Sequence, residues 1–239
     1  MPLNSSRQIA SLALLVWCLI GSLWNGLSSA DEPPLRIVTL GDSITKGVRQ
    51  GVAADETFSA LLEAALKKRG VTSEVINVGI GGERTDQALA RLDKEVVGKK
   101  PRIVAIMYGT NDSYVDKGKS EPRLTADEFR TNLAGIVDKL ESAGIRPILM
   151  TEPRWGKSAK NGLDENPNGR LEKYMDACRA LARERKLPLV DHFADWTEAE
   201  AQGADIGAWT TDQCHPNPAG HRRMAELILP VVLKAAAAN

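Results

Sequence analysis

Two short segments at opposite ends of the chain carry residues that nucleophilic catalysis requires. Ser43 follows an apolar run near the start, and Asp212 precedes His215 by three residues near the end. A serine hydroxyl becomes a nucleophile when a base that is neutral near pH 7 takes its proton, and imidazole is such a base. In a tight connection, a carboxylate at this spacing can reach Nδ1 and leave Nε2 free to face the serine. The three residues predict acyl transfer, with Ser43 as nucleophile, His215 as base and Asp212 as its partner.

Each of these residues also has a simpler interpretation. A serine directly after a strand often caps a helix, and an aspartate often opens a turn. Of the other two histidines, His192 follows a short apolar run, which is compatible with a core position. His221 lies one turn inside the last predicted helix, where a solvated or capping role is expected. The spacing between Asp212 and His215 therefore favours His215 as the base.

Acyl transfer also needs hydrogen-bond donors around the carbonyl oxygen, which becomes negatively charged during the attack. Asn111 offers a side-chain amide after the third apolar run, and the Ser43 N–H is a second donor. The glycine-rich segment 79–82 is expected to add a third, because a residue without Cβ lets its N–H approach a ligand closely. Taken separately, Asn111 could form an Asx turn, and the glycines a turn with positive φ.

Four short motifs occur together along the chain: GDS at 41–43, NVGIGG at 77–82, GTND at 109–112 and DQCH at 212–215. With these motifs in this order, the sequence resembles the GDSL, or SGNH, esterase/lipase family. The resemblance implies a flavodoxin-like three-layer α/β/α sandwich around a five-stranded parallel sheet. It also implies a serine hydrolase that works through an acyl-enzyme intermediate, without a metal or another cofactor.

The same resemblance assigns roles to individual residues. Family members place one glycine five residues after the asparagine that Asn77 matches, so Gly82 is chosen over Gly79 and Gly81 as an oxyanion donor. The implied site has Ser43, Asp212 and His215 as catalytic residues, with Ser43, Gly82 and Asn111 forming the oxyanion hole.

The elements that must position these residues follow from hydrophobic patterning. Short apolar runs alternate with amphipathic stretches, which predicts a parallel α/β sheet whose functional groups lie beyond the carboxyl ends of the strands. Strands are predicted over 35–40, 71–78, 103–108, 145–151 and 187–191. Helices are predicted from Phe58 to Gly70, over 85–96, after the Thr125–Glu128 capping box, from Leu171 to Leu181, and from Pro218 with Asn217 as its N-cap.

A long polar loop over 152–168 is where a substrate-shaping segment is expected. Trp155 and Trp209 lie in or near predicted active-site loops and could stack on a sugar ring, although ordinary packing would also explain them. Asp42, next to the nucleophile, is predicted to contact substrate as well. The sequence shows no apolar lid helix, which disfavours long-chain triglycerides.

Residues 1–30 have the pattern of a secretory signal peptide. They carry one charge, Arg7, followed by an apolar run over 9–24 and small residues up to Ala30. The run is shorter than the roughly 20 residues of a spanning helix, so cleavage and a secreted or periplasmic protein without a stable membrane span are expected, with an uncleaved anchor as the alternative.

Residues 31–239 are predicted to form a single catalytic domain, long enough to bury one core without metals or disulfides. Cys178 and Cys214 remain after signal removal; both are interpreted as packing residues, although an oxidising compartment would allow them to pair.

Several other classes of protein are excluded. The whole chain has 31 basic and 31 acidic side chains, so it has no excess of positive charge for binding nucleic acid. Arg84 breaks the G-x-G-x-x-G dinucleotide fingerprint, and the G-x-S-x-G elbow of α/β-hydrolases is absent. No dense cluster of His and carboxylate ligands predicts a metal site. A catalytically silent carbohydrate-binding domain is the alternative from a different class, and the complete set of reactive residue types argues against it.

The expected substrate is a small-molecule or carbohydrate ester. Short acyl groups, and acetyl groups on carbohydrate in particular, are the first expectation. A lysophospholipase, thioesterase or arylesterase is the alternative, since the family that the sequence resembles spans all of these.

Overall fold

The structure is a computed structural model that describes residues 33–238. Five parallel strands form one sheet in the order β2-β1-β3-β4-β5. This order is that of a flavodoxin-like sheet and confirms the predicted fold class. The strands are β1 Leu35–Gly41, β2 Ser73–Asn77, β3 Ile103–Met107, β4 Arg146–Met150 and β5 Leu189–Val190.

Helices cover both faces of the sheet and complete the predicted three layers. The helices are α1 Ser43–Lys46, α2 Phe58–Lys68, α3 Thr85–Glu95, α4 Ala126–Ser142, α5 Asn168–Arg185, α6 His192–Ala201 and α7 Pro218–Ala237. The buried apolar residues of α3, α4 and α5 share one core with the sheet, and those of α2 and α7 share the other.

Strand β3 shows why its sequence is continuously apolar. Val104 and Ile106 pack into the core under α3, α4 and α5, whereas Ile103, Ala105 and Met107 pack into the core under α2 and α7. All five residues are buried, as expected of a central strand covered on both faces.

The predicted helix caps are present. Thr125 and Glu128 form the capping box of α4, and Asn217 accepts the backbone N–H groups of Ala219 and Gly220 at the start of α7. Helix α6 was not predicted.

The four motif segments meet at one edge of the sheet. The first three follow the carboxyl ends of β1, β2 and β3, and the fourth precedes α7. The chain from Pro34 onward forms one compact unit, and none of its described helices is long and apolar enough to cross a bilayer. The predicted signal peptide, residues 1–30, lies outside the described residues.

Candidate active site

Ser43 is the first residue of α1, immediately beyond the end of β1. Position 41 has to be glycine, because a Cβ on Gly41 would collide with Thr45 Oγ1 and with the Met107 carbonyl oxygen. Asp42 caps the short helix by accepting a backbone N–H of its first turn at 2.8 Å. This tight turn presents the partly exposed Ser43 side chain at the rim of the sheet.

The structure brings the predicted nucleophile, base and carboxylate into one hydrogen-bonded chain. His215 Nε2 lies 2.9 Å from Ser43 Oγ, and His215 Nδ1 lies 2.8 Å from Asp212 Oδ2. Asp212 Oδ1 accepts the backbone N–H of His215 at 2.9 Å, which fixes the carboxylate against the ring that it orients. With Nδ1–H donated to Asp212, Nε2 is the free acceptor that a general base requires.

The pKa shifts of His215 and Asp212 suit a neutral base. Burial lowers the pKa of His215 below its usual range, and the attraction of Asp212 only partly opposes this. Partial burial alone would raise the pKa of Asp212, but hydrogen bonds from the backbone and ring of His215 hold it below its usual range. At neutral pH the imidazole is therefore neutral and its partner is ionised.

Arg49 is a further contact of the site, and sequence analysis did not find it. Its guanidinium donates to Asp212 Oδ2 at 2.8 Å, so Arg49 and His215 share one carboxylate oxygen. Its positive charge also contributes to the lowered pKa of His215. The residue lies 163 positions from Asp212, and no motif marks it.

The Asn111 amide is held from two sides. Its Nδ2 donates to Asp42 Oδ2 at 2.8 Å, and its Oδ1 accepts a hydrogen bond from Arg123 at 3.1 Å. An amide has two N–H groups on Nδ2, so the second remains available for an oxyanion. Arg123 was also not predicted, although it lies in the loop that follows the GTND motif.

The three glycines in the turn after β2 have different surroundings. A Cβ at Gly79 would collide with the Lys46 backbone, so Gly79 allows the turn to pack on α1. A Cβ at Gly81 would lie 4.0 Å from Ser43 Cβ. Gly82 is exposed, has a φ of 77° and forms no backbone hydrogen bond through its N–H to another described residue. These features are compatible with the predicted oxyanion donor.

The prediction that Asp42 contacts substrate is wrong. Asp42 is 0 % exposed, and its carboxylate oxygens face α1 and Asn111. It instead holds the side chain of Asn111, a predicted oxyanion donor.

The two predicted tryptophans differ in their surroundings. Trp155 stacks on Tyr114 with ring centroids 5.9 Å apart, and the Arg123 guanidinium lies over the Tyr114 ring at 5.0 Å. This group is therefore linked through Arg123 to Asn111. Trp209 instead packs edge to face against the buried Trp196, on the side of α6, and its role in substrate binding stays a prediction.

The long loop over 152–168 contacts the catalytic turn. The Gly156 N–H donates to the Gln213 carbonyl oxygen at 2.7 Å, and Ser158 Oγ donates to Gln213 Oε1 at 2.8 Å. Gln213 lies between Asp212 and His215 and has a φ of 70°, in the left-handed region. The loop thus supports the turn that carries His215, the predicted base.

The other histidines and both cysteines are buried. His192 is 0 % exposed and neither ring nitrogen has a hydrogen-bond partner among the described residues, which fits the predicted core position. His221 is also fully buried rather than solvated; its Nδ1 accepts the Phe58 N–H and so caps α2 instead of its own helix. Cys178 and Cys214 are buried and unpaired.

A groove of about 1050 Å³ lies at the opposite edge of the sheet. It runs past the starts of β4 and β5 and is lined by residues such as Arg102, Arg146 and Lys234. None of the candidate catalytic residues lines it, so we do not assign it to acyl transfer. Among the described residues, no group of three His, Cys, Asp or Glu side chains is arranged to hold a metal ion.

Comparisons with known proteins agree with this geometry. Residues 39–223 match the profile of the GDSL-like lipase/acylhydrolase family. An uncharacterized lipoprotein of Bacillus subtilis, YqeF, is 32% identical over 183 residues, which cover 69% of this chain and 73% of that protein. The esterase TesA of Pseudomonas aeruginosa is 27% identical over 199 residues, covering 82% of this chain and 87% of that protein.

A solved structure has the same fold. The crystal structure of an acetyl xylan esterase, AlAXEase, superposes with a TM-score of 0.68 at 27% identity, covering 82% of this chain and 99% of the other.

Proposed function

This chain belongs to the GDSL-like lipase/acylhydrolase family and is an ester hydrolase, and we propose that it removes short acyl groups, acetyl groups on carbohydrate in particular. Within this proposal, Ser43, His215 and Asp212 are the catalytic residues. Gly82, Asn111 and the Ser43 N–H form the oxyanion hole.

The proposed reaction is a double displacement. His215 Nε2 takes the Ser43 proton as Oγ attacks the ester carbonyl, and the resulting oxyanion accepts hydrogen bonds from the three donors. His215 then protonates the leaving alcohol, and the acyl group stays on Ser43. Water repeats the same steps on the acyl-enzyme and releases the acid.

The observation that carries the catalytic part of the proposal is the continuous chain from Ser43 Oγ to Asp212. Its two links, 2.9 Å from Oγ to Nε2 and 2.8 Å from Nδ1 to Oδ2, are already hydrogen bonds without a bound substrate. The base is therefore aligned in advance, which is what general-base activation of a serine needs.

Two observations support a carbohydrate ester as the substrate. The stacked pair of Trp155 and Tyr114 lies beside Arg123, which contacts the proposed oxyanion donor Asn111. Aromatic rings next to the reacting centre suit a sugar that carries the ester. The related structure named above is that of an acetyl xylan esterase.

A second candidate is a lysophospholipase, thioesterase or arylesterase, and in particular an enzyme that accepts longer acyl chains. It is favoured by two exposed apolar side chains in the loops that carry the site. Ile80, in the glycine-rich turn, is 45% exposed and Val48, just after α1, is 48% exposed. Together they could contact an acyl chain that extends outward from a carbonyl group bound in the oxyanion hole.

An acyl-chain series separates these two candidates. We would measure kcat/KM on activated aryl esters of increasing acyl length, beside acetate release from acetylated xylan fragments. The proposal expects the highest rates with acetyl esters, release from xylan fragments, and loss of both activities in Ser43→Ala. A rate that rises steadily with acyl length, with no release from xylan, would favour the second candidate.

We further propose that the protein is secreted or periplasmic and is cleaved after Ala30. The pattern of residues 1–30 supports export, and one relative carries the name of a lipoprotein. The mass of the protein recovered from the producing cells tests this: a chain that starts at Asp31 is expected, and a full-length chain would contradict it.

A further inference from the structure

A buried carboxyl pair lies behind the proposed oxyanion hole. Asp42 follows β1 and Glu152 follows β4, and both residues are 0 % exposed. Each carboxyl group is among the leading influences on the pKa of the other, so the two lie close together. Neither Oε atom of Glu152 has a hydrogen-bond partner among the described residues. Two ionised carboxylates would repel each other strongly at such a site, so one proton must lie between them.

The groups that face this pair supply no positive charge. Asp112 at the end of β3 adds a further negative charge, and the remaining titratable groups are thiols and a phenol. No lysine, arginine or histidine of the described residues is among the leading influences on either carboxyl. The titratable groups that interact electrostatically with Asp42 or Glu152 are Tyr108, Asp112, Cys178 and Cys214.

The neighbouring hydrogen bonds decide which residue carries the proton. Asp42 already accepts the Ile44 N–H through Oδ1 and the Asn111 Nδ2–H through Oδ2, each at 2.8 Å. An oxygen that accepts in this way is best ionised, whereas Glu152 has no donor in hydrogen-bond geometry to stabilise a charge. The proton is therefore expected on Glu152, and Asp42 is expected to be ionised.

The titration of the two groups agrees with this assignment. Burial raises the pKa of Glu152 well above its usual range, and the charges of Asp42 and Asp112 add to the effect. The nearby Thr110 N–H lowers this pKa, but by less than burial and the two charges raise it. Burial also raises the pKa of Asp42, to about 7, even though the hydrogen bonds from Ile44, Asn111 and Glu152 favour its ionised form.

We propose that Glu152 is a positioning residue of the oxyanion hole: it stays protonated, donates to Asp42, and so keeps Asp42 as the acceptor that orients the Asn111 amide. This inference rests on the proposed function of Asn111. When Asp42 accepts one N–H of the amide, the other is directed away from it, toward the carbonyl oxygen of a bound ester. Protonation of Asp42 would weaken this acceptor.

Two variants of Glu152 separate positioning from packing. Glu152→Met keeps an unbranched side chain of similar length but has no proton to donate, whereas Glu152→Gln keeps a donor. We expect Glu152→Met to lower kcat by about tenfold with little change in KM, because the donor matters most as charge develops on the oxygen. In Glu152→Met, Asp42 loses a hydrogen bond that favours its ionised form, so its pKa should rise. As the pH is lowered, kcat should therefore begin to fall at a higher pH than in wild type. Glu152→Gln should restore most of kcat and the wild-type pH profile.

Either of two kinetic results would overturn the proposal. One is a Glu152→Met enzyme with wild-type kcat and pH profile. The other is a Glu152→Gln enzyme as impaired as Glu152→Met, since the donor would then not be what matters.

An infrared measurement tests the pair without relying on catalysis. In D₂O at about pH 8, wild type should show the carbonyl stretch of a protonated carboxyl group, and Glu152→Gln should lack it. Asp191→Asn, which changes a carboxyl group that is paired with Arg179, should keep the band. Absence of the band in wild type would contradict the shared proton. If wild type shows the band but hydrolyses no ester, the proposed function is rejected, whereas the shared proton of Asp42 and Glu152 is still supported.

Discussion

The Asp212 carboxylate is shared between an imidazole and a guanidinium. Oδ2 accepts from both His215 Nδ1 and Arg49 Nη2, each at 2.8 Å. Burial lowers the pKa of His215, the Asp212 carboxylate partly opposes this, and the Arg49 guanidinium adds to the lowering. The base therefore stays neutral to lower pH than an isolated histidine would, and hydrolysis should rise with pH through a pKa below the usual range.

Arg49→Gln tests this sharing of charge. Removing the guanidinium should raise the pKa of His215, so more of the base is protonated in mild acid. We expect kcat/KM at pH 5 to fall by roughly two- to fivefold relative to wild type, with little change at pH 8, the size of a near-surface charge interaction. Arg130→Gln, which breaks an ion pair between α4 and α5, serves as control. An unchanged pH profile in Arg49→Gln would contradict the assignment.

Asn111→Ala tests the oxyanion donor. Loss of one such donor typically costs roughly 10²- to 10³-fold in kcat. We expect a loss in this range with KM little changed, measured on an acetyl ester. Asn132→Ala removes an amide of α4 that contacts Thr85 and should keep wild-type kcat. A near-normal kcat in Asn111→Ala would mean that the donor is another group.

The loop over 152–168 packs closely against the turn that carries His215. A Cβ at Gly156 would meet the Gln213 side-chain amide at less than van der Waals distance and the Gly207 Cα at 3.2 Å. Gln213 lies in the same turn as His215, so any displacement is transmitted to the base.

Gly156→Ala tests this connection between loop and turn. We expect kcat to fall by about tenfold or more, because small misplacements of a catalytic group are costly. Gly169→Ala is the matched control: it lies in α5 with no atom within 4 Å of the added methyl group, and it should keep activity. Equal kcat in the two variants would show that the loop does not support the turn.

The elements that the sequence predicted well have strong local signals. The capping box at Thr125 and the cap at Asn217 fix helix starts by hydrogen bonds within four residues, so both are visible in the sequence. Helix α6 was missed because its cap, Asp191, closes an apolar run that also ends a strand. Its buried residues His192, Phe193, Trp196 and Ala199 recur at helical spacing, but only Phe193 and Trp196 are large apolar side chains, so the stripe is weak in the sequence.

The site residues that lie within sequence motifs were predictable, whereas those that reach the site only through tertiary contacts were not. Ser43 and His215 were found through local motifs, although 172 positions separate them. Arg49 and Glu152 lie near the site because of the fold and have no sequence signal of their own. The burial of Asp42 and Glu152, on which the proposed role of Glu152 rests, is a property of the packed sheet.

Stability of the protein as a whole should depend on its buried histidines. Burial lowers the pKa of both His192 and His221 to about 4. A group whose pKa is lower in the folded state contributes stability above its unfolded pKa, and this is lost as pH falls through the folded value. Each histidine should therefore destabilise the fold as pH drops from about 6.5 toward 4.

His192→Phe isolates one of these contributions, since no ring nitrogen of His192 has a hydrogen-bond partner among the described residues. Between pH 7 and 4, the free energy of unfolding should fall less in the variant than in wild type, by about 3 kcal/mol. Urea titrations across this range measure the difference. Parallel curves for the two proteins would contradict a neutral buried His192.

The most direct test of the proposed mechanism is to trap the nucleophile. After reaction with a fluorophosphonate, peptide mass mapping should find one adduct, on Ser43, that is absent from Ser43→Ala and retained in Ser142→Ala, which changes an exposed serine at the end of α4. Ester hydrolysis should be lost together with the adduct. An adduct on another residue, or undiminished hydrolysis by Ser43→Ala, would contradict the assignment of Ser43 as the nucleophile.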